Sequence, residues 1–183
     1  MLEVACNDQL PVAAARAGQS EAWDALFRRY QMPLYVYVVE LVHDEQVSLD
    51  IVQETFVNAA RYLHTLRADD RFGAWLFRIA HQKCVQYWRR PSRETPLDAH
   101  EDAEWCHDEP DPGEALIRKE QEEEFMHQLN SLPEAHRAVL LLHYLEDFPL
   151  AEIAVITATK VGTVKSRLHY ARETLRKLLE RQP

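Results

Sequence analysis

Residues 150–179 read LAEIAVITATKVGTVKSRLHYARETLRKLL, and this stretch decides the fold of the C-terminal part of the chain. A short apolar run, Leu150 to Ile156, precedes the polar segment 157–159 and a longer periodic run that begins near Val161. In the longer run apolar residues return at intervals of three and four, which is the spacing of one helix face. They are Val164, Leu168, Ala171, Leu175 and Leu178. The stretch predicts a short helix, a tight turn and a long helix.

The opposite face of the predicted long helix is basic. Lys165, His169, Arg172 and Arg176 follow one another at helical spacing on that face. An apolar back and a cationic front, placed after a short helix and a turn, are typical of a helix-turn-helix that binds DNA. A core helical hairpin with a solvated charged face is the alternative that the pattern alone leaves open.

The distribution of charge favours a nucleic-acid partner although the net charge is -9. Residues 71–93 contain six Lys or Arg and no acid, and residues 160–181 contain seven against two acids. Residues 94–124 contain thirteen acids against two basic residues. Because charges are screened over about 8 Å, the local potential decides what each surface attracts. The sequence therefore predicts two cationic surfaces separated by an acidic segment.

The N-terminal half is also predicted to be helical. A first apolar stripe contains Leu26, Tyr30, Leu34, Tyr37 and Leu41, and a break follows at residues 43–45. A second stripe contains Leu49, Val52, Phe56, Ala59 and Leu63. A third helix is predicted to carry Phe72, Trp75, Ile79 and Val85 and to end before Pro91. No strand pattern is visible and the chain has 4 glycines, so the predicted fold class is all-α.

The chain divides at a segment rich in proline and acids. Residues 91–112 contain four prolines and few aliphatic side chains, a composition that buries too little surface to fold alone. We predict two small helical domains, residues 1–92 and 113–183, joined by a flexible acidic linker, residues 93–112. In the second domain a helix is predicted over 114–129. The next helix is predicted to be capped by Ser131, with Pro133 in its first turn and Glu134 as the capping-box acid, and its residues 138–144 should be core.

Two separate sets of motifs resemble one family. Glu152-Ile-Ala154, Val161-Gly-Thr-Val-Lys-Ser-Arg-Leu168 and Ala171-Arg-Glu-Thr-Leu175 resemble the fourth conserved region of sigma-70 factors, most of all in the extracytoplasmic-function group. Upstream, Asp50-Ile-Val-Gln-Glu-Thr-Phe56 and Phe72-Gly-Ala-Trp-Leu-Phe-Arg-Ile-Ala80 resemble the second region. The resemblance implies a subunit that directs core RNA polymerase to promoter DNA, acts in the cytoplasm, and has no catalytic activity or cofactor of its own.

The resemblance also implies roles for individual residues. A polar helix face would bind core polymerase: Asp50, Gln53 and Glu54. The -10 element would be contacted by Arg71, Arg78, Gln82, Lys83, Gln86, Arg89 and Arg90, with the loop Thr65–Asp70 helping to capture a flipped base. The -35 element would be contacted by Lys160, Thr163, Lys165, Ser166, Arg167, His169, Tyr170 and Arg172. For Arg167 the alternatives are a phosphate contact or a role in bracing the fold. An anti-sigma protein is the expected regulator.

Some positions depart from the family pattern. Gln82 and Gln86 stand where Asn or Asp is more usual, which leaves the preferred -10 sequence open. Thr157 and Ala158 replace the usual Leu-Gly turn. A turn without glycine costs about 1 kcal/mol if the position requires a positive φ.

Two other classes of protein remain possible at this stage. The first is a dimeric repressor or activator, in which residues 21–90 would form a sensor domain. The second is a metal site, from His81 and Cys84 one helical turn apart or from His100, Cys106 and His107 in the linker. Neither group has the four ligands in paired short spacings that structural zinc prefers, so no metal is predicted. Three widely spaced cysteines indicate a reducing compartment, and no apolar run is long enough to span a membrane.

Overall fold

The computed structural model describes residues 10–89 and 128–179. Its helices are α1 (Val12–Arg16), α2 (Ser20–Val42), α3 (Glu45–Tyr62), α4 (Phe72–Trp88), α5 (Glu134–Tyr144), α6 (Leu150–Ile156) and α7 (Val161–Leu179). Two short 3-10 turns, Leu63–Thr65 and Asp69–Arg71, join α3 to α4. Neither described range contains a strand, so the all-α prediction is confirmed there.

The break between α2 and α3 lies where the sequence predicts it. α2 ends at Val42, and His43 adopts the left-handed conformation with φ 55°. Asp44 then caps α3, because its side chain accepts a hydrogen bond from the Val47 amide at 2.9 Å. A left-handed residue followed by a capping carboxylate ends one helix and starts the next, so α2 and α3 can pack side by side.

The prediction that Leu49 faces the core is wrong, because its side chain is 52% exposed. Two small polar residues of α3, Ser48 and Thr55, take the buried positions instead. The Ser48 hydroxyl donates to the Asp44 carbonyl oxygen at 2.6 Å, and the Thr55 hydroxyl donates to the Ile51 carbonyl oxygen at 2.7 Å. Since both hydroxyls are bonded within their own helix, they can be buried at little cost, and the core-facing stripe is rotated away from Leu49.

The predicted third helix is confirmed as α4, which ends at Trp88, before Pro91. Phe72 is buried, while Trp75, Ile79 and Val85 are half-buried. The first predicted stripe is also confirmed as the buried face of α2: Leu26, Tyr30, Leu34, Tyr37 and Leu41. Removing such side chains from water stabilises the fold by about 1.5–3 kcal/mol each.

The C-terminal helix-turn-helix is confirmed by α6, the turn at residues 157–160, and α7. The core face of α7 is buried at Val164, Leu168, Ala171 and Leu175, and the side chain of Leu178 lies outside the described part. Ala158, where the family pattern has glycine, has a φ of 51°. The turn therefore does require the left-handed conformation.

Two predictions about α5 are wrong. Ser131 does not cap it: the Ser131 hydroxyl donates to the Gln128 carbonyl oxygen at 2.7 Å, and the preceding helical segment ends there. Pro133 is the N-cap residue, and α5 begins at Glu134 without a side-chain cap. Residues 138–142 are core as predicted, but Tyr144 is 52% exposed.

The N-terminal and C-terminal helices of the described chain also contact each other. α2 packs against α5, and α4 packs against α6. Arg167 of α7 lies near His81 of α4, since its charge helps to lower the pKa of that imidazole. The predicted linker, residues 93–112, lies outside the described residues, as does the predicted helix 114–129 except for its last two positions, which are helical.

Candidate nucleic-acid interface

The predicted polymerase-binding residues share one exposed face of α3. Asp50, Gln53 and Glu54 line an open groove together with Val57, Asn58 and Lys83. Lys83 Nζ lies 2.5 Å from Glu54 Oε2, although α4 carries the lysine and α3 carries the acid. The groove therefore joins a predicted polymerase residue to a predicted -10 residue, and it offers acids, amides and one cation to a polar partner.

The predicted -10 residues of α4 form one exposed stripe. Arg78, Gln82 and Gln86 of α4 are exposed, as are Arg71 and Arg89, which flank its two ends. At 100° per residue, the five positions fall on one side of the helix. Lys83 lies outside this group and is half-buried against Glu54. Arg90 lies outside the described residues. The stripe offers cations for phosphates and two amides for base edges.

Behind this stripe, α4 carries a buried polar group. The Tyr37 hydroxyl and His81 Nδ1 lie 2.8 Å apart, and the Trp88 ring packs edge-on against the imidazole. Burial, with a smaller contribution from Arg167, lowers the pKa of His81 to about 4, and burial raises the pKa of Cys84 to about 12. Such a thiol is protonated and inert.

The metal alternative gains no support in the described ranges, because no cluster of three or more His, Cys, Asp or Glu side chains is placed to hold an ion there. His81 already has a hydrogen-bonding partner in Tyr37. His100, Cys106 and His107 lie outside the described residues.

An arginine that the sequence analysis did not single out supports the loop before α4. Arg16 Nη2 donates to the Leu66 carbonyl oxygen at 3.1 Å and to Asp69 Oδ1 at 2.5 Å. Its helix, α1, is held against α2 by burial of Val12 and Ala15 and by a hydrogen bond from Trp23 Nε1 to the Ala15 carbonyl oxygen at 3.1 Å. A contact across 53 positions leaves no signal in local sequence periodicity.

The front of α7 is cationic and open to solvent. Its exposed predicted residues are Lys160, Thr163, Lys165, Ser166, His169, Tyr170 and Arg172. The turn before it is fixed by threonines: Thr157 Oγ1 donates to the Ile153 carbonyl oxygen at 2.8 Å and lies 2.9 Å from Thr159 Oγ1. Arg167 differs from the rest, because it is half-buried and its charge helps to lower the pKa of His81 on α4 and of His136 on α5.

Two residues of α5 contact this front, and the sequence analysis gave neither a site role. Arg172 Nε donates a hydrogen bond to the Tyr144 hydroxyl, and the guanidinium carbon lies 5.1 Å from the centre of the Tyr144 ring. The His136 and Tyr170 rings are 4.8 Å apart. Tyr144 was predicted to be core, but it is 52% exposed, which leaves its ring and hydroxyl available to Arg172.

Models of two regions of one family match the chain. The model of sigma-70 region 2 matches residues 26–94, and the model of sigma-70 region 4 matches residues 122–175. The chain belongs to the sigma-70 family. The first match contains α4 and the polar face of α3, and the second contains the helix-turn-helix. A dimeric repressor loses its support, because the segment that would form the sensor domain is a sigma-70 region.

Curated relatives cover nearly the whole sigma factor. The RNA polymerase sigma-H factor of Pseudomonas aeruginosa is 34% identical over 182 residues, 95% of this chain and 94% of the relative. The ECF RNA polymerase sigma-E factor of Escherichia coli is 32% identical over 177 residues, 92% of each chain. These relatives place the protein in the extracytoplasmic-function group.

Solved structures have the same fold. CnrH, solved in complex with the cytosolic domain of CnrY, matches with a TM-score of 0.69 and 25% identity over 96% of this chain and 99% of CnrH. RpoE of Bartonella quintana, solved with the anti-sigma factor NepR, matches with a TM-score of 0.67 and 21% identity over 86% of this chain and 98% of RpoE. In the described part of the sigma factor, no helix is both long enough and apolar enough to cross a membrane.

Proposed function

We propose that this sigma factor directs core RNA polymerase to specific promoters in the cytoplasm and catalyses no step itself. The observation that carries the proposal is the pair of exposed cationic stripes on α4 and α7, each inside the match to a different sigma-70 region. In this proposal α4 contacts the -10 element, α7 contacts the -35 element, and the polar face of α3 binds core polymerase.

The chemistry of α7 suits the major groove of DNA. The groove is about 12 Å wide and admits one helix. Lys165 can neutralise a phosphate, Thr163 and Ser166 can donate hydrogen bonds to phosphate oxygens, and His169 and Tyr170 can reach base edges. All five are exposed. The Ser166 hydroxyl donates to the Gly162 carbonyl oxygen at 3.1 Å in the free protein and would turn outward to reach a phosphate.

The chemistry of α4 suits partly opened DNA. Arg71, Arg78 and Arg89 would hold the backbone, while Gln82 and Gln86 offer amide donors and acceptors to bases. The loop at residues 65–70, supported by Arg16, would help to hold a base flipped out of the duplex. Flipping costs a few kcal/mol, which contacts to the loop and the cations would offset.

The two DNA-binding helices have to separate to reach both elements at once. In the structure α4 and α7 both pack against α6, and packed helices lie about 8–10 Å apart, so α4 and α7 are within about 20 Å. The two promoter elements are some 25 base pairs apart, roughly 85 Å at 3.4 Å per base pair. The proposed division into domains 1–92 and 113–183 meets this need, because a linker over 93–112 could extend by up to about 66 Å.

An anti-sigma protein is proposed as a further partner. The support is membership of the extracytoplasmic-function group, together with the solved complex of the structurally similar RpoE with the anti-sigma factor NepR. Co-purification of the tagged chain from its native host tests this. A stoichiometric small protein that blocks core binding would support the proposal, and recovery of the chain with core polymerase alone would count against it.

The salt dependence of promoter binding tests the proposed DNA contacts. Holoenzyme carrying Lys165→Ala should bind promoter DNA more weakly, and the slope of log K against log salt should fall by about 0.9, because one phosphate contact is lost. Arg28→Ala is a matched control, since Arg28 is an exposed cation on α2 and belongs to neither stripe. An unchanged slope for Lys165→Ala, or an equal change for the control, would contradict the proposal.

A further inference from the structure

Tyr170 and Arg172 mark the two edges of the exposed face of α7. At 3.6 residues per turn they lie about 200° apart around the helix axis. His169, which is exposed, lies between them on the front, and Ala171, which is buried, lies between them on the back. The exposed face is therefore bordered by Arg172 on one side and by Tyr170 on the other.

One helix contacts both edges. Tyr144 of α5 accepts a hydrogen bond from Arg172 Nε and presents its ring to the guanidinium, whose carbon is 5.1 Å from the ring centre. His136 of α5 places its ring 4.8 Å from the Tyr170 ring. His136 and Tyr144 are about 12 Å apart along α5 at 1.5 Å per residue. α5 thus passes behind α7 and reaches past both of its sides.

We propose that Tyr144 and His136 are positioning residues for DNA recognition, which fix the directions of Arg172 and Tyr170 before DNA is bound. The inference rests on the proposed function, in which this face of α7 contacts the -35 element. A free arginine side chain has many rotamers, and part of this conformational entropy is lost on binding. Holding it on a tyrosine ring in the free protein reduces that loss.

The contact leaves Arg172 able to bind DNA. Guanidinium has five N–H donors, and only the one on Nε is used by the Tyr144 hydroxyl. The two terminal nitrogens remain for a phosphate or a guanine edge. Tyr144 itself is 52% exposed, so its ring lies at the surface, where the DNA backbone would approach.

At the other edge of α7, Tyr170 packs against the uncharged imidazole of His136. Burial, with a smaller contribution from Arg167, lowers the pKa of His136, so its ring is uncharged at neutral pH. An uncharged imidazole packs against Tyr170 without repelling the neighbouring Arg167. Aromatic pairs of this kind are attractive beyond the surface they bury, so the contact favours one direction of the Tyr170 side chain.

Promoter binding by reconstituted holoenzyme tests the inference. The variants are Tyr144→Ala, Tyr144→Phe, Arg172→Ala and the double variant Tyr144→Ala/Arg172→Ala, each measured on one promoter with its -35 element and on one with that element scrambled. Leu145→Ala is the matched control, because Leu145 follows Tyr144 at the end of α5, is 39% exposed, and offers neither a hydroxyl nor an aromatic ring to Arg172. Core binding and thermal unfolding of each variant are measured alongside.

We expect Tyr144→Ala to weaken binding of the intact promoter about 2- to 5-fold, which corresponds to the loss of one cation–π contact. Tyr144→Phe, which keeps the ring, should lose less. Neither change should affect the scrambled promoter, and Tyr144→Ala should add nothing once Arg172 is alanine. By the same logic, His136→Ala should weaken the intact promoter only while Tyr170 is present.

Two results would overturn the inference and are distinguishable from each other. If Arg172→Ala weakens binding of the intact promoter but Tyr144→Ala does not, the positioning role is wrong and the proposed function stands. If Arg172→Ala also has no effect, the -35 contact proposed for Arg172 is wrong, and the inference fails with it. Equal loss for Leu145→Ala would show that the end of α5 acts only through stability.

Discussion

Phe148 packs edge-on against Phe77, with ring centres 5.2 Å apart and ring planes at 70°. Phe77 is fully buried in α4, the helix that carries the proposed -10 contacts. Phe148 lies in the segment that joins α5 to α6, at the entrance to the helix-turn-helix. This aromatic pair therefore joins the two helical parts of the protein in the arrangement that we propose opens on a promoter.

Phe148→Ala should loosen that arrangement. Loss of a half-buried aromatic contact costs about 2 kcal/mol of stability. Here most of that loss would weaken the contact between the N-terminal and C-terminal helices. We expect the radius of gyration of the free protein, measured by small-angle X-ray scattering, to increase. Phe27→Ala is the control, because Phe27 forms a similar pair with Phe56 at 4.8 Å within the N-terminal part alone. Phe27→Ala should lower stability without increasing the radius of gyration. An increase for Phe27→Ala but not for Phe148→Ala would rule out this role for Phe148.

Glu146 should make the stability of the packed form depend on pH. It is buried beside Phe148 and acts electrostatically on Tyr30 and Tyr37 of α2. Burial, with a smaller contribution from Asp147, raises the pKa of Glu146 from 4.5 to about 7. A raised carboxyl pKa means that the packed form prefers the neutral acid. Its contribution is thus fully present below pH 4.5 and is lost as the pH rises to 7.

Glu146→Gln isolates this effect, which is on the order of 3 kcal/mol. The variant should match the wild-type free energy of unfolding at pH 4.5, exceed it increasingly up to about pH 7, and keep a nearly constant excess above that pH, measured by urea titration. His81 acts in the opposite direction, because its pKa is lowered to about 4, but it does so in both proteins and cancels in their difference. Asp24→Asn, an exposed acid on α2, should give no such divergence. A pH-independent difference for Glu146→Gln would disprove the assignment.

Ala158→Gly should stabilise the helix-turn-helix. Ala158 is exposed and holds a φ of 51°, which strains any side chain with a Cβ atom. Glycine removes that strain, so we expect the free energy of unfolding to rise by about 1 kcal/mol and the melting temperature by about 2–4 °C. Ala151→Gly, at an exposed position inside α6, should lower both quantities instead. A decrease for Ala158→Gly would mean that the turn does not carry this strain.

Lys83 should behave as a polymerase-binding residue more than as a -10 residue. Its ammonium is bonded to Glu54 and is part of the α3 groove, whereas Arg78 is exposed on the stripe of α4. We expect Lys83→Met to weaken core binding, measured by fluorescence titration with core enzyme, and Arg78→Met to weaken only promoter opening. If Lys83→Met leaves core binding intact and reduces promoter opening as Arg78→Met does, the Lys83–Glu54 ion pair has no role in binding core polymerase.

Much of the fold follows from local sequence, because helical periodicity and terminators act over a few residues. The break at His43, the end of α4 before Pro91 and the helix-turn-helix were all predictable on this basis. The exposure of Leu49 was not predictable, since it depends on hydrogen bonds that the Ser48 and Thr55 hydroxyls form within α3. Periodicity assigns polar residues to the outside and cannot detect such internal bonds.

In the candidate site, too, some features were predictable from local sequence and others were not. Exposure of the α4 and α7 stripes follows from their spacing, and the structure agrees at every predicted position that it describes except Lys83 and Arg167, which are half-buried. The supporting contacts were not predictable. Tyr144 meets Arg172 across 28 positions and Tyr37 meets His81 across 44, and no pattern in a single sequence pairs residues at such separations.

Transcription by the purified chain with core RNA polymerase on a library of genomic fragments tests the central claim most directly. We expect the complex to initiate at a small set of fragments that share two motifs about two and a half helical turns of DNA apart. Core enzyme alone should not initiate there. Arg78→Ala or Lys165→Ala should reduce those transcripts. Binding to core enzyme without selective initiation, or tight binding of the free chain to a palindromic duplex, would contradict it.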